Sequence, residues 1–181
     1  MMQMGSLDVT PAGDRPDLVA PSTAHALAEW SRGSEVGVCV IDPELADTAA
    51  FCAAYGVPLD ASANCVVVAG RRAELERLAA CVVLATTRAD VNGVVRRWLD
   101  VRKLSFAPMD EAVTRSGMEY GGITPIGLPA DWPILVDRRV VEAPRVVVGS
   151  GIRGSKLVLP GEALSALPSA VVLDDLAKPV A

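Results

Sequence analysis

The stretch Gly117–Leu128, Gly-Met-Glu-Tyr-Gly-Gly-Ile-Thr-Pro-Ile-Gly-Leu, limits the fold more than any other part of the 181-residue chain. Three of its four glycines fall between Gly121 and Gly127 and bracket Pro125. Glycine reaches positive φ without steric cost, and Pro125 pushes Thr124 toward an extended conformation. Such a run forms neither helix nor central strand. It is long for a simple turn, and its backbone is bare enough for another molecule to approach. Successive N–H groups in turns of this kind converge on an oxyanion or a phosphate. The alternative is a tight connection between a helix and a strand.

The rest of the chain alternates irregularly. Ser22 or Thr23 is placed to cap a helix ending near Trp30, and Val36–Ile41 reads as a strand stopped by Asp42-Pro43. Ala46–Tyr55 is a small-residue helix closed by Gly56, and Cys65–Ala69 with Leu78–Leu84 reads as a Val-rich hairpin. Asp90 caps a helix to Leu99, Arg102–Phe106 is a short strand, and Asp110–Ser116 a helix ended by Gly117. Three apolar runs follow, Ile134–Val136, Arg145–Val148 and Lys156–Leu159, with a second flexible loop at residues 149–154. A short helix to Leu167 and a strand at Val171–Leu173 finish the chain. This pattern predicts an α+β fold: a single domain with a mixed, mostly antiparallel curved sheet flanked by helices. Residues 1–20, rich in Pro, Gly and Asp, are expected to be a flexible segment ahead of a domain spanning 21–181.

Charge and composition narrow the function. Residues 1–60 hold nine acids and two bases, a balance of −7; residues 61–181 hold thirteen acids and fifteen bases, +2. A polyanion therefore meets the later part of the chain. The overall −5 argues against a general DNA or RNA coat, and 4% aromatic content is too little for a base-stacking platform. No apolar run approaches the roughly 20 residues that span a bilayer, and the first twenty residues lack the basic and apolar regions of a secretory signal. We therefore expect a cytoplasmic protein with no membrane partner. Cys39, Cys52, Cys65 and Cys81 are widely spaced, three of them in Val-rich runs, and behave as small core hydrophobes. With His25 as the only histidine, no metal site and no Cys–His pair is expected.

The order of signals carries a resemblance. Asp42-Pro43 is followed by Gly56-Val57-Pro58, Asn64-Cys65-Val66 and Arg88-x-Asp90-Val91. Then come Gly117-x-x-x-Gly121-Gly122-Ile123-Thr124-Pro125-Ile126-Gly127 and Gly151-x-Arg153-Gly154. In this order the chain, from about Val36 to Lys178, resembles the YbaK-type aminoacyl-tRNA editing domain, which is related to the insertion domain of bacterial prolyl-tRNA synthetases and to free-standing deacylases. The most specific piece is Gly-x-x-x-Pro, Gly121 to Pro125. The resemblance implies trans-acting hydrolysis of the ester joining a wrong amino acid to the tRNA 3′ end, with no cofactor. Such proofreading is needed where a synthetic site rejects a similar small side chain too weakly. Partners implied are the aminoacylated tRNA 3′ end and an aminoacyl-tRNA synthetase.

Carried over residue by residue, the resemblance puts Gly121, Gly122 and Ile123 at the reacting ester. Asn64, Thr124, Pro125, Gly127, Ser150, Gly151 and Lys156 fall around the substrate. The basic stretch Arg88, Arg96, Arg97, Arg102 and Lys103 is expected to meet the tRNA. Two positions depart from the family pattern. Where relatives carry lysine followed by Ser or Thr, this chain has Asn64-Cys65; where an acidic or amide residue is common, it has Lys156. Gly149 replaces a family serine, with Ser150 beside it. A catalytically silent tRNA- or ligand-binding relative, and a structural or regulatory protein that kept the fold, therefore stay open.

Overall fold

The computed structural model describes residues 3–180. Met1 and Met2 of the segment expected to be flexible, and Ala181 at the end of the expected domain, lie outside the described residues. The strands are β1 (Thr10–Pro11), β2 (Gly37–Val40), β3 (Ala63–Arg72), β4 (Leu75–Leu84), β5 (Thr87–Ala89), β6 (Lys103–Phe106), β7 (Ile134–Asp137), β8 (Val146–Gly149), β9 (Ser155–Leu159), β10 (Ala170–Leu173) and β11 (Ala177–Pro179). The α-helices are α1 (Pro21–Glu29), α2 (Thr48–Tyr55), α3 (Arg96–Leu99), α4 (Met109–Ser116) and α5 (Arg138–Glu142).

The fold is α+β. One sheet is antiparallel throughout, in the order β1-β2-β9-β8. The other is mixed, in the order β10-β7-β4-β3-β6: β10, β7 and β4 run parallel, while β3 pairs antiparallel with both β4 and β6. A bridge between Ser62 and Val147 links the two, and β5 pairs with β11 as a separate ribbon. The expected sheet is thus two sheets sharing one core. Val38, Val146, Val148, Leu157 and Leu159 from the first meet Val82, Leu84, Ile134 and Val136 from the second. Period-two alternation supplies both faces of each sheet. Cys39, Val147 and Val158 turn outward under Phe51 and Cys52 of α2, while Val68, Cys81, Val83 and Leu135 turn outward under Val95 and Leu99.

Local chemistry explains most boundaries. Asp47 caps α2, its carboxylate accepting from Ala49 and Ala50 N–H, and Gly56 ends it in the left-handed region. Gly117 ends α4 in the same way. Asp90 accepts from Gly93 N–H, but the helix it opens begins with a wide-turn segment, Val91–Val95, before α3. The Ser22 or Thr23 cap is not formed. Pro21 opens α1, and Thr23, fully buried, donates instead to Ile126 C=O at 2.9 Å. Sequence periodicity did not reveal α5.

The described part of the flexible leader is a correction. Residues 3–20 pack against the body: Met4, Leu7 and Val9 are buried against Ile41, Phe51 and Val57, and β1 pairs with β2. Ser155 Oγ donates to Leu18 C=O, and Ala20 N–H donates to Ser150 C=O at 3.1 Å. The Pro, Gly and Asp content signalled absence of long helix or strand. Apolar residues spaced along an irregular path still bury enough surface to hold it.

Candidate functional site

A cleft of about 660 Å³ opens where α2 begins, β3 begins and β8 turns into β9. Its walls include Asp47, Thr48, Ser62, Asn64, Tyr120, Gly121, Ile123, Gly149 and Lys156. Asn64, Gly121, Ile123 and Lys156, expected near the substrate, therefore share one cleft.

The glycine loop forms one wall and is held on both sides. Gly151 N–H donates to Gly122 C=O at 2.7 Å, and Glu119 N–H donates to Gly151 C=O at 2.8 Å. Gly122 is buried, and its N–H donates to Glu119 C=O. A methyl on it would meet the backbone of Ile152 at 2.6 Å. Its side therefore faces protein, so Gly122→Ala is expected to disturb the packing of the loop against Ile152 instead of projecting into the cleft. The N–H groups of Gly121 and Ile123, by contrast, have no acceptor among the described residues. Two unsatisfied donors on one cleft wall are what an oxyanion requires.

Arg153 of the Gly-x-Arg-Gly loop ties this wall to the opposite lip. Its guanidinium donates to Tyr120 C=O at 3.2 Å and to Pro43 C=O at 2.9 Å, and its N–H donates to Glu119 Oε2 at 2.7 Å. The motif was visible in the sequence, but the residue's bridging role was not; neither were those of Tyr120, Asp47 and Thr48. Arg153→Ala is expected to loosen both lips and lower turnover about tenfold, the scale of one lost charge-assisted contact. Arg153→Lys is expected to recover part of that, because an ammonium still reaches one carbonyl but not both. A parent-like Arg153→Ala would show that the lips hold without it.

On the far wall Thr48 Oγ donates to Asn64 Oδ1 at 2.6 Å, which fixes the amide orientation and leaves the Asn64 NH₂ for the cleft. Lys156 is 8% exposed; its ammonium donates to Ala46 C=O at 3.1 Å and sits 5.4 Å from the centre of the Phe51 ring. Burial lowers its pKa from the ordinary lysine value, and Arg153 adds a smaller push in the same direction. Cys39 and Cys52, its neighbours, are buried thiols whose pKa values burial raises, Cys39 to about 11. They remain protonated and act as packing.

The remaining expected site residues lie elsewhere. Thr124 is fully buried behind the loop. Pro125 and Gly127 line a separate, mainly apolar cleft with His25, Trp30 and Trp132. Ser150 is buried and hydrogen-bonded to Ser155 at 2.6 Å; Gly151, at φ 89°, packs against Ala20. These five residues lie outside the walls of the cleft. The basic stretch is distributed over three elements: Arg88 on the β5–β11 ribbon, Arg96 and Arg97 on α3, and Arg102 with Lys103 at the start of β6. Lys103 stands opposite Arg71, and Arg71, Arg72 and Arg102 line a shallow hollow at the tip of the β3–β4 hairpin. Among the described residues no group of three or more His, Cys, Asp and Glu side chains gathers as a metal centre, and no helix is long and apolar enough to cross a membrane.

Comparison with solved structures agrees with this architecture. The fold is similar to that of a hypothetical protein, APE2540, with TM-score 0.73 and 22% identity over 84% of this chain and 99% of that one. It is also similar to a protein described as a candidate trans-editing enzyme for prolyl tRNA synthetase, with TM-score 0.71 and 21% identity over 86% and 97% of the two chains. Among curated proteins none matches. The family model of the aminoacyl-tRNA editing domain matches residues 42–167, a span that holds the cleft and every residue of its walls, and the chain belongs to that family.

Proposed function

We propose that the protein is a trans-acting hydrolase that removes wrongly attached amino acids from tRNA. The observation that carries this reading is the pair of unsatisfied N–H groups at Gly121 and Ile123, on the wall facing the Asn64 amide. The ester carbonyl oxygen lies between the two donors, which stabilise the charge that develops when water adds to the carbonyl carbon. Collapse of that adduct breaks the bond to the ribose oxygen, which takes up a proton. The products are a free amino acid and a tRNA with its terminal hydroxyl restored. The neighbouring ribose hydroxyl is positioned by the substrate itself to relay that proton, so no side-chain nucleophile is needed. Asn64 and Lys156 hold the substrate across the cleft. Aminoacylation by a synthetase supplies the substrate, in the cytoplasm, where tRNA is charged.

The test is incubation with a panel of mischarged tRNAs, following release of each amino acid. Release from at least one tRNA carrying a small side chain is the expected result. Tight tRNA binding with no release would favour the silent relative, the reading prompted by Asn64 at the position where relatives carry lysine.

The basic residues give a separate expectation. Arg102→Glu with Lys103→Glu is expected to weaken tRNA binding and to reduce the slope of log K against log salt by about one to two, because each phosphate contact contributes close to one unit. Identical slopes for parent and variant would remove this surface from the tRNA interface.

A further inference from the structure

Lys156 is an anomaly that hydrolysis by backbone donors does not explain. Lysine is almost never fully buried without a partner, because an ammonium taken out of water costs several kcal/mol unless a charge compensates it. Here the ammonium has no carboxylate within ion-pair distance among the described residues. Its fixed partners are one carbonyl oxygen, Ala46, and the face of Phe51. It also lies beside the start of α2, where the helix end is itself positive.

The surroundings hold it there. Lys156 sits in β9 between Cys39 of β2 and Gly149 of β8, so the neighbour on its cleft side has no side chain. An ammonium has three donors. One is used by Ala46, and the other two are left on a wall that also carries the Asn64 NH₂. The one acid among the residues lining the cleft, Asp47, has its carboxylate turned to the N–H groups of Ala49 and Ala50.

We infer that Lys156 and Asn64 form an anion-binding subsite within the cleft, which takes a negatively charged oxygen group of the substrate. This inference rests on the proposed hydrolase reading for the identity of that substrate, but not for the anion binding itself. Two groups on a misacylated tRNA have the required chemistry: the phosphate joining the terminal nucleotide, and the carboxylate of an acidic amino-acid side chain. The bound anion replaces the missing carboxylate partner and holds Lys156 protonated. The groups facing the ammonium are Asp47, Arg153 and the thiols of Cys39 and Cys52. Burial raises both thiol pKa values while it lowers that of Lys156, and Lys156→Gln measured over the same pH range separates the lysine from the thiols.

The experiment measures binding of adenosine 5′-monophosphate, adenosine and glutarate by calorimetry or NMR to the parent, Lys156→Gln and Lys156→Arg. The parent is expected to bind the monophosphate or glutarate at least tenfold more tightly than adenosine or a neutral diamide, and binding should fall as pH rises through the lysine pKa. Lys156→Gln should lose that preference, and Lys156→Arg should keep part of it. Preference for the monophosphate identifies the terminal phosphate; preference for glutarate identifies the acyl carboxylate. Equal anion binding by parent and a folded Lys156→Gln, or no anion preference in the parent at any pH, overturns the subsite. If Lys156→Gln does not fold, the parent's anion preference and its pH dependence decide alone. Ester hydrolysis on the same samples separates the two ideas. Lys156-dependent anion binding without release of any amino acid defeats the hydrolase and leaves the subsite; release unaffected by Lys156→Gln does the reverse.

Discussion

Gly149→Ala is expected to abolish most ester hydrolysis and to destabilise the fold at the same time. A Cβ at this position would lie 2.5 Å from both Gly122 O and Ile123 O. Both contacts are backbone, so no side chain can rotate away. The loop is also tethered to this segment by Gly151 N–H and the Arg153 guanidinium, which resist its withdrawal. Relief requires displacing Ile123, and with it one of the two N–H groups proposed as oxyanion donors. Overpacking of this kind costs about 1–3 kcal/mol, and losing one such donor lowers turnover by about 10²–10³. Gly154→Ala is the control: its added Cβ meets nothing closer than Pro43 Cγ at 3.9 Å, and parent-like stability and activity are expected. Thermal unfolding and single-turnover deacylation measured on both variants check the pair. Parent-like activity in Gly149→Ala would show that the glycine loop is only a connection.

The second large effect has the opposite sign for stability. Lys156→Met is expected to stabilise the protein by about 1–3 kcal/mol at neutral pH, because an apolar chain of similar length replaces a buried cation that has no carboxylate partner among the described residues. Loss of the bond to Ala46 C=O offsets part of the gain. The pH dependence carries the signature. Burial lowers the folded-state pKa of Lys156 below the unfolded value of about 10.4. Between those two values the unfolded chain binds more protons than the folded one, so the parent gains stability as pH rises through that window. The advantage of Lys156→Met is therefore largest below the lowered pKa and shrinks as pH approaches about 10.4. Denaturant titrations at several pH values measure it. A variant less stable than the parent at neutral pH would mean that Lys156 is held by an interaction stronger than the Ala46 and Phe51 contacts. More stability together with weaker anion binding is the trade expected of a residue kept for function.

Much of the architecture was legible because it rests on local rules. The hairpin β3–β4 announced itself through two Val-rich runs, and Gly56 and Gly117 ended their helices where the sequence placed them, both in the left-handed region. The pairing of Asn64 with the glycine loop was legible only through the family resemblance, since nothing local joins residues so far apart. The packed leader was misread for a related reason: its apolar residues follow no period and make sense only beside Phe51 and Ile41, which they cover. Helix α5 was missed because it is a single turn-and-a-half anchored by Asp137, a buried carboxylate that also accepts from Ala177 N–H near the chain end.

The sequence by itself determined the α+β class, most strands and helix ends, the bare backbone of the glycine loop and, through motif order, the family. These follow from side-chain period, capping and the φ freedom of individual residues, all of which act over a few positions. Tertiary structure alone decided which of those residues meet. It put Gly121 and Ile123 on the cleft wall while closing Gly122 against Ile152, and it sent Pro125 and Gly127 to a different cleft. It also buried Lys156 under α2 instead of leaving it on a solvent-facing strand position. The physical reason is that strand alternation fixes only which face a side chain takes; whether that face meets water or another layer depends on contacts distant in sequence.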